Sequence, residues 1–541
     1  MGLATLIKFT AAAALSAAAA GTGWRWLVAR ESTPVKPDPP VILAPLEVVR
    51  AIEVAPTRAA PSAALTSEPG PVPGAYQPPP VVVDGGPRVY ALTRNVWVRP
   101  RASAKDSWIG FLWFGASVRV RIPEPVAGPG CAGSWYAIEP RGYVCVDGAR
   151  ATLDPDHPSV RGLSAYAPNL GSAWPHRYGE SIDLERYREL PSPRVQRGRE
   201  WYYRGHQALV ARARAGETLP TLLGIDLRDA PETPLALPQV PRTLQMDSER
   251  LEARSTVAWT REQLHAGRSF LLSSDLKWVP KDRVKAYPPV TFKGVHLGQG
   301  ARLPLAFFRG RDRPSYRRRD DGCFEVAERT FARLSWVELS GKRESCEGLT
   351  YLETHEPGSF VLEGDAVLPR LAPRTPWGTP LDATTDPEAS TRGRQTWIEA
   401  SILGGWLIAY EGRTPVFTTL IAAGRGGPPH ADIEPIETAS TPVGRFKITG
   451  KFATATMVAP NDLTHSEVPW AQNFSGPHAL HAAYWHDGWG ELKSGGCVNV
   501  SPIDGRWLYS EFTEPRVPEG WHGVRWLSEI EPATTLIIRR N

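Results

Sequence analysis

From Val89 onward the chain is written in short alternating runs. Val89-Tyr90-Ala91-Leu92, Val96-Trp97-Val98, Ser117-Val118-Arg119-Val120, Trp135-Tyr136-Ala137-Ile138 and Gly142-Tyr143-Val144-Cys145-Val146 are separated by turn residues at close spacing. Side chains on a strand point to opposite faces with period two, so this pattern predicts a small β-barrel over residues 88–154. The closing pattern recurs. Ser269-Phe270-Leu271-Leu272 leads to Trp278-Val279-Pro280, and Gly358-Ser359-Phe360-Val361-Leu362 leads to Ala366-Val367-Leu368-Pro369. This self-similarity predicts two further β-units within residues 265–372, near 265–315 and 323–372. Residues 155–264 are broken by Pro and read as a linker, with one helix expected over 200–215. After the polar stretch 382–394, Trp397-Ile398-Glu399-Ala400, Gly405-Trp406-Leu407-Ile408-Ala409-Tyr410 and Pro415-Val416-Phe417-Thr418-Thr419-Leu420 predict a β-meander with Gly-containing turns. The expected fold class is mainly β.

Length turns this pattern into a multidomain layout. A chain of 541 residues exceeds a single hydrophobic core, which stops growing near roughly 250–300 residues. The 53 Pro and 49 Gly fit short strands, turns and linkers and argue against a coiled coil or helical bundle. Charge excludes little except one partner class. Lys and Arg number 62 against 57 Asp and Glu, a balance of +5, and no basic run is longer than Arg317-Arg318-Arg319. Nucleic-acid binding has no electrostatic footprint here.

The first thirty residues read as a targeting segment: Lys8, then an apolar, Ala-rich stretch ending in small residues near 20, followed by Trp24, Arg25, Trp26 and Leu27. Two readings stay open, a cleaved signal peptide and a retained N-terminal membrane anchor. Both put the remaining chain outside the cytoplasm, in the periplasm or cell envelope. Residues 31–87 hold fourteen Pro and the run Gln77-Pro78-Pro79-Pro80. Such a composition buries no core and is expected to be a disordered Pro-rich linker, spanning on the order of 150 Å at roughly 3 Å per residue.

Cysteine placement fits an exported protein. Cys131 and Cys145 flank one predicted hairpin, and Cys323 and Cys346 bracket a second short β-rich stretch, so two local disulfides are expected in an oxidising compartment. Cys497 is left over. It follows Ser494, Gly495 and Gly496 and precedes Val498-Asn499-Val500, so the backbone can turn tightly there and present N–H groups beside the sulfur. His481 ends the apolar run Ala479-Leu480-His481 and is positioned to act on Cys497 as base in a Cys–His acyl-transfer pair. His478 is the alternative base. His486, beside Asp487, is a third imidazole of the same region and reads as a solvated loop side chain, with the space beside Gly495 as its alternative place. No metal-ligand spacing and no phosphate- or dinucleotide-binding fingerprint appears, and thiol acyl transfer requires no cofactor.

Two resemblances join these observations. The stretch from Asn95-Val96-Trp97-Val98-Arg99-Pro100 through Trp135-Tyr136 to Arg141-Gly142-Tyr143-Val144-Cys145-Val146 resembles bacterial SH3 domains, which implies a small β-barrel that binds cell wall or positions a catalytic neighbour. Residues 393–541 resemble the catalytic domain of L,D-transpeptidases (YkuD family). The resemblance is carried by the Pro442/Gly444 stretch after a meander, by Leu480-His481-Ala482-Ala483-Tyr484-Trp485, and by Ser494-Gly495-Gly496-Cys497-Val498-Asn499-Val500-Ser501-Pro502. It implies a β-sandwich in which Cys497 is the nucleophile, His481 the base, and Ser494, Gly495, Gly496 and Asn499 the active-site loop. The N–H groups of Gly496 and Cys497 would be the oxyanion donors. The implied substrates are peptidoglycan stem peptides: the thiolate attacks the third residue of a tetrapeptide, expels D-Ala, and passes the acyl group to a second stem as a 3→3 crosslink. Gly495 departs from the pattern, which has His two residues before the Cys. That departure keeps open a non-catalytic wall-binding protein with a degenerate domain. Transfer to water, an L,D-carboxypeptidase, or to a protein amine is another outcome of the same chemistry, since the sequence does not specify the acceptor.

Overall fold

The computed structural model describes residues 86–164, 166–217, 250–298, 300–382, 394–458, 463–525 and 532–541. The expected targeting segment and nearly all of the Pro-rich stretch lie outside the described residues. No helix among the described residues is long and apolar enough to cross a membrane.

The C-terminal region is a two-sheet sandwich. One sheet has six strands in the order Val295–His296, Thr414–Leu420, Trp406–Glu411, Thr396–Ser401, Thr535–Arg539, Gly444–Lys447. Its neighbours are antiparallel except for Thr396–Ser401 beside Thr535–Arg539, which run parallel. The meander read from sequence forms three of these strands. They are hydrophobic almost throughout because both faces are covered. Ile398, Ala400, Leu407, Ala409 and Phe417 face the second sheet. Trp397, Trp406, Ile408 and Tyr410 face outward against Phe292, Leu305, Phe307 and Trp489, with the Trp397 and Tyr410 rings stacked 3.9 Å apart.

The second sheet has seven strands. Four belong to the site and are labelled here β1 (Gly450–Val458), β2 (Thr464–Ser475), β3 (His478–Ala482) and β4 (Val498–Val500). β1, β2 and β3 form an antiparallel series, and β4 returns parallel to β3. The parallel return is made by the loop 483–497, and a short helix Pro502–Trp507, capped by Ser501, follows β4. Phe474, Leu480, Val498 and Val500 complete the core between the sheets. Beyond β1 the sheet continues through Gly523–Arg525 to Gly110–Leu112 and Val96–Val98. Two strands from the N-terminal β-unit therefore finish the C-terminal sheet. Their approach needs small residues: a Cβ on Gly110 would lie 2.3 Å from the Trp521 ring and one on Gly523 2.8 Å from the Lys451 carbonyl oxygen.

Three β-units precede the sandwich. The first pairs Arg88–Ala91, Ser117–Val126, Ser134–Ile138, Tyr143–Val146 and Ala151–Thr152, and Cys131 is bonded to Cys145. The second pairs Arg177–Ser181 with Thr256–His265 and Val284–Ala286, and adds Arg268–Ser273 and Trp278–Pro280. It thus begins at 177, inside the stretch expected to be linker. Its first strand is separated from its neighbour by more than seventy residues of chain, so local periodicity carried no sign of the pairing. The helix expected over 200–215 is a pair, Pro193–Arg199 and Tyr203–Arg214. The third unit occupies 305–367 and contains the Cys323–Cys346 disulfide. The second and third units share a strand, 3₁₀ turn, strand motif: Trp278–Pro280, Lys281–Arg283, Val284–Ala286 in the second, and Phe360–Leu362, Glu363–Asp365, Ala366–Val367 in the third. It is offset by one strand from the recurrence read in the sequence, which sets Trp278–Pro280 against Ala366–Pro369; structurally Trp278–Pro280 corresponds to Phe360–Leu362.

Candidate active site

The site is built on the β3–β4 pair. The register sets Leu480 opposite Val498, His481 opposite Asn499 and Ala482 opposite Val500. Side chains alternate along each strand, so Leu480 and Val498 enter the core while His481 and Asn499 share the other face. Cys497, one residue before β4, falls on the same face as Asn499 and receives a backbone hydrogen bond at Ala479. The thiol, His481 and Asn499 are thereby brought to one face. His478 has opposite parity on β3. Its Nδ1 donates to the Ser475 carbonyl at 3.2 Å, and its Nε2 lies against Gly496.

The turn before Cys497 is held by Ser494. Its hydroxyl donates to the Cys497 carbonyl at 2.5 Å and accepts from the Gly496 N–H at 3.1 Å. Of the two N–H groups expected at an oxyanion, that of Gly496 is thus engaged by Ser494 Oγ. Gly496 has φ +126°, and a Cβ there would meet the Ser440 carbonyl oxygen at 2.9 Å and His478 Nε2 at 3.1 Å. Gly495 is the opposite case: it is exposed, and a Cβ would meet nothing within 4 Å. Asn499 is fixed by a reciprocal backbone pair with Ala422, 2.9 Å in both directions.

His481 is 3% exposed. Its Nδ1 lies 3.0 Å from the Ala482 carbonyl oxygen, and a carbonyl only accepts, so Nδ1 carries the proton and Nε2 the lone pair. Burial pulls the imidazole down to about 4. Part of Cys497 is accessible, yet the protein around its sulfur pushes the thiol up to about 11. Loss of hydration disfavours whichever form is charged, so the resting pair is a neutral thiol and a neutral imidazole.

Two further imidazoles surround this face. His465 on β2 packs on Trp485, ring centres 4.5 Å apart, and Trp485 also lies 5.9 Å from His481. Burial and the proximity of His481 hold His465 down at about 4. His486 Nε2 is 3.2 Å from Asn499 Nδ2, and its pKa is likewise lowered to about 4, chiefly by burial. The packing of His465 on Trp485 had no sequence signal, because the fold and not chain proximity brings the two rings together.

The β-units hold the loop that carries these groups. Tyr178 stacks on Tyr484 at 3.8 Å. The Tyr484 hydroxyl donates to the Ser466 carbonyl and lies 2.6 Å from Thr256 Oγ1. From the third unit, Arg333 reaches Asp487 Oδ2 at 3.0 Å and the Asp487 carbonyl at 2.7 Å, and Arg309 donates to the Gly490 carbonyl.

A β-sandwich that presents a thiol, a lone-pair imidazole nitrogen and a glycine turn on one sheet face has the parts of a cysteine acyl-transfer centre. Residues 395–520 match the L,D-transpeptidase catalytic domain family, YkuD, and the chain carries that domain. Among solved structures it is similar to an L,D-transpeptidase from Xylanimonas cellulosilytica (18% identity, TM-score 0.18, 28% of this chain and 62% of that one). It is also similar to a mutant of the Enterococcus faecium L,D-transpeptidase (20%, 0.20, 27% and 50%). A third is an L,D-transpeptidase from Stackebrandtia nassauensis (19%, 0.19, 30% and 63%). The chain spans less than two thirds of the length of each. No curated protein matches it.

Proposed function

We propose that the protein is a peptidoglycan L,D-transpeptidase that forms 3→3 crosslinks. The observation that carries this reading is the shared face of Cys497 and His481, with His481 Nδ1 committed to the Ala482 carbonyl and Nε2 left as the acceptor. Cys497 Sγ attacks the carbonyl carbon of the third residue of a tetrapeptide stem while His481 Nε2 takes the thiol proton. Because the resting pair is neutral, this transfer accompanies attack and does not precede it. The tetrahedral oxyanion is held by the Cys497 N–H, joined by that of Gly496 once it leaves Ser494 Oγ. Collapse breaks the amide bond, and the His481 proton leaves with the D-Ala amine. The amine of a second stem then attacks the thioester, His481 takes its proton, and Cys497 is regenerated as the thiol.

Gly495 does not exclude this chemistry, since the base belongs to His481 and the space at 495 is open. His478 serves the turn beneath Gly496 in this reading. The second and third β-units brace the 484–491 loop, and the first, which resembles SH3 domains, lends two strands to the sheet that carries the site; wall binding is a second use for them. The two disulfides fit an oxidising, exported setting.

The test is incubation of the full chain and its Cys497→Ala variant with a disaccharide-tetrapeptide, followed by mass spectrometry. Release of D-Ala with a 3→3 dimer, lost in the variant, is the expected result. Tripeptide monomer alone identifies an L,D-carboxypeptidase. Binding to sacculi with no turnover by either form rejects catalysis in favour of a wall-binding protein.

A further inference from the structure

Position 495 supplies no side chain, but another imidazole reaches the same face from the loop before it. His486 is half-buried and packs on Trp489 at 4.8 Å. The residues beside it are gripped by the third β-unit, Asp487 by Arg333 and Gly490 by Arg309. Its Nε2 meets Asn499 Nδ2 at 3.2 Å. A carboxamide NH₂ only donates, so in this arrangement His486 Nε2 holds the lone pair and Nδ1 the proton.

Asn499 is the register partner of His481 across β3 and β4 and stands two residues from Cys497. Its NH₂ is a donor on the face where His481 Nε2 must keep its lone pair for the thiol proton. A donor bonded to that nitrogen would compete with the thiol. We infer that His486 is the second imidazole of this site, a positioning residue that accepts from Asn499 and so keeps the carboxamide off His481. The inference rests on the acyl-transfer reading. It gives Arg333 and Arg309 a purpose: they set a loop whose imidazole the catalytic turn itself lacks.

The experiment uses the full chain as wild type, His486→Ala, His486→Gln, Asn499→Ala and the His486→Ala/Asn499→Ala double variant. Two rates are followed by intact mass: acylation of Cys497 by a carbapenem, and its alkylation by iodoacetamide, which needs only a reactive thiol. Misplacement of a group near the reacting atoms slows chemistry by about ten- to a hundredfold, and that loss is expected for His486→Ala in both rates. His486→Gln, whose carbonyl still accepts from Asn499, is expected to recover most of it. In the Asn499→Ala background His486→Ala is expected to have no further effect, because nothing is left to hold. The inference is overturned if His486→Ala reacts as wild type does, if the Gln variant recovers nothing, or if His486→Ala still costs about tenfold or more in the Asn499→Ala background. Wild type that is alkylated but never acylated rejects the acyl-transfer reading, and the alkylation rates still decide the role of His486. Melting curves of each variant separate misfolding from mispositioning.

Discussion

Replacing Gly496 by Ala is expected to destabilise the site and stop its chemistry, whereas Gly495→Ala is expected to do neither. At 496 the backbone has φ +126°, where an L side chain is strained by about 1–3 kcal/mol. The new methyl would also press on the Ser440 carbonyl oxygen at 2.9 Å and His478 Nε2 at 3.1 Å. Overpacking of that kind adds about 1–3 kcal/mol, because a backbone carbonyl yields less readily than a side-chain tip. Together these give about 2–6 kcal/mol, a fall in Tm of about 2–7 °C in a body of roughly four hundred residues. The turn would relieve the clash by moving Cys497, so acylation should be lost even below the melting temperature. At 495 an added Cβ meets nothing within 4 Å, and a change within about 0.5 kcal/mol is expected, as for an ordinary surface position. Gly495→His should fold equally well. Scanning calorimetry with carbapenem acylation by intact mass reads both quantities. A Gly496→Ala protein that melts and reacts like wild type would refute the geometry of the turn, as would a Gly495→Ala protein that loses as much as Gly496→Ala.

Three other outcomes follow from the charges. With the thiol at about 11, Cys497 holds roughly two orders of magnitude less thiolate at pH 7 than an ordinary cysteine, and its alkylation rate should still be climbing at pH 10; a plateau below pH 8 would mean a standing thiolate–imidazolium pair. His176, His465, His481, His486 and His522 are held at about 3 to 4 against 6.5, chiefly by burial. Each is depressed in the folded state, so the stability it contributes is complete above pH 6.5 and falls by up to about 1.4 kcal/mol per pH unit as pH drops toward 4. Urea midpoints measured from pH 7 to 4 should therefore fall steeply below pH 6, and a flat profile contradicts the neutral cluster. Arg268, 4% exposed, grips Asp282 through Nε and Nη2 and meets Glu200 at 2.6 Å. Arg268→Ala should destabilise the second β-unit by about 3–5 kcal/mol in chemical denaturation, since two buried carboxylates lose the guanidinium between them and are left with His206 at Asp282 and the Tyr187 hydroxyl at Glu200.

What the sequence revealed and concealed divides by distance along the chain. The meander 396–420 was legible because its strands are consecutive and joined by short Gly turns, so alternation and neighbourhood agree. The pairing of Cys131 with Cys145 was legible for the same reason. The second β-unit was not, because Arg177–Ser181 bonds to Thr256–Trp259 across a long intervening stretch. At the site, Cys497 and the turn glycines announced themselves by spacing. The committed Gly496 N–H did not, since nothing in a linear pattern says that Ser494 Oγ will take it. Nor could spacing rank His481 over His478: parity along β3 separates them, and parity becomes meaningful only when a partner strand fixes the register.

The sheet that carries the site does not close within the segment that matches the family. That segment ends at 520, before Gly523–Arg525 and Thr535–Arg539, each of which has a bonded strand on both sides. Beyond Gly523–Arg525 the next strand comes from residues 110–112, some four hundred positions earlier in the chain. Cutting the protein at its sequence-defined borders would strip an interior strand from each sheet and bare hydrogen-bonding edges prone to aggregation. For anyone dissecting or grafting this protein, the smallest portable piece is a topological circuit through both ends of the described chain. Recombination that exchanged the catalytic segment as a cassette would have to carry the N-terminal β-unit with it.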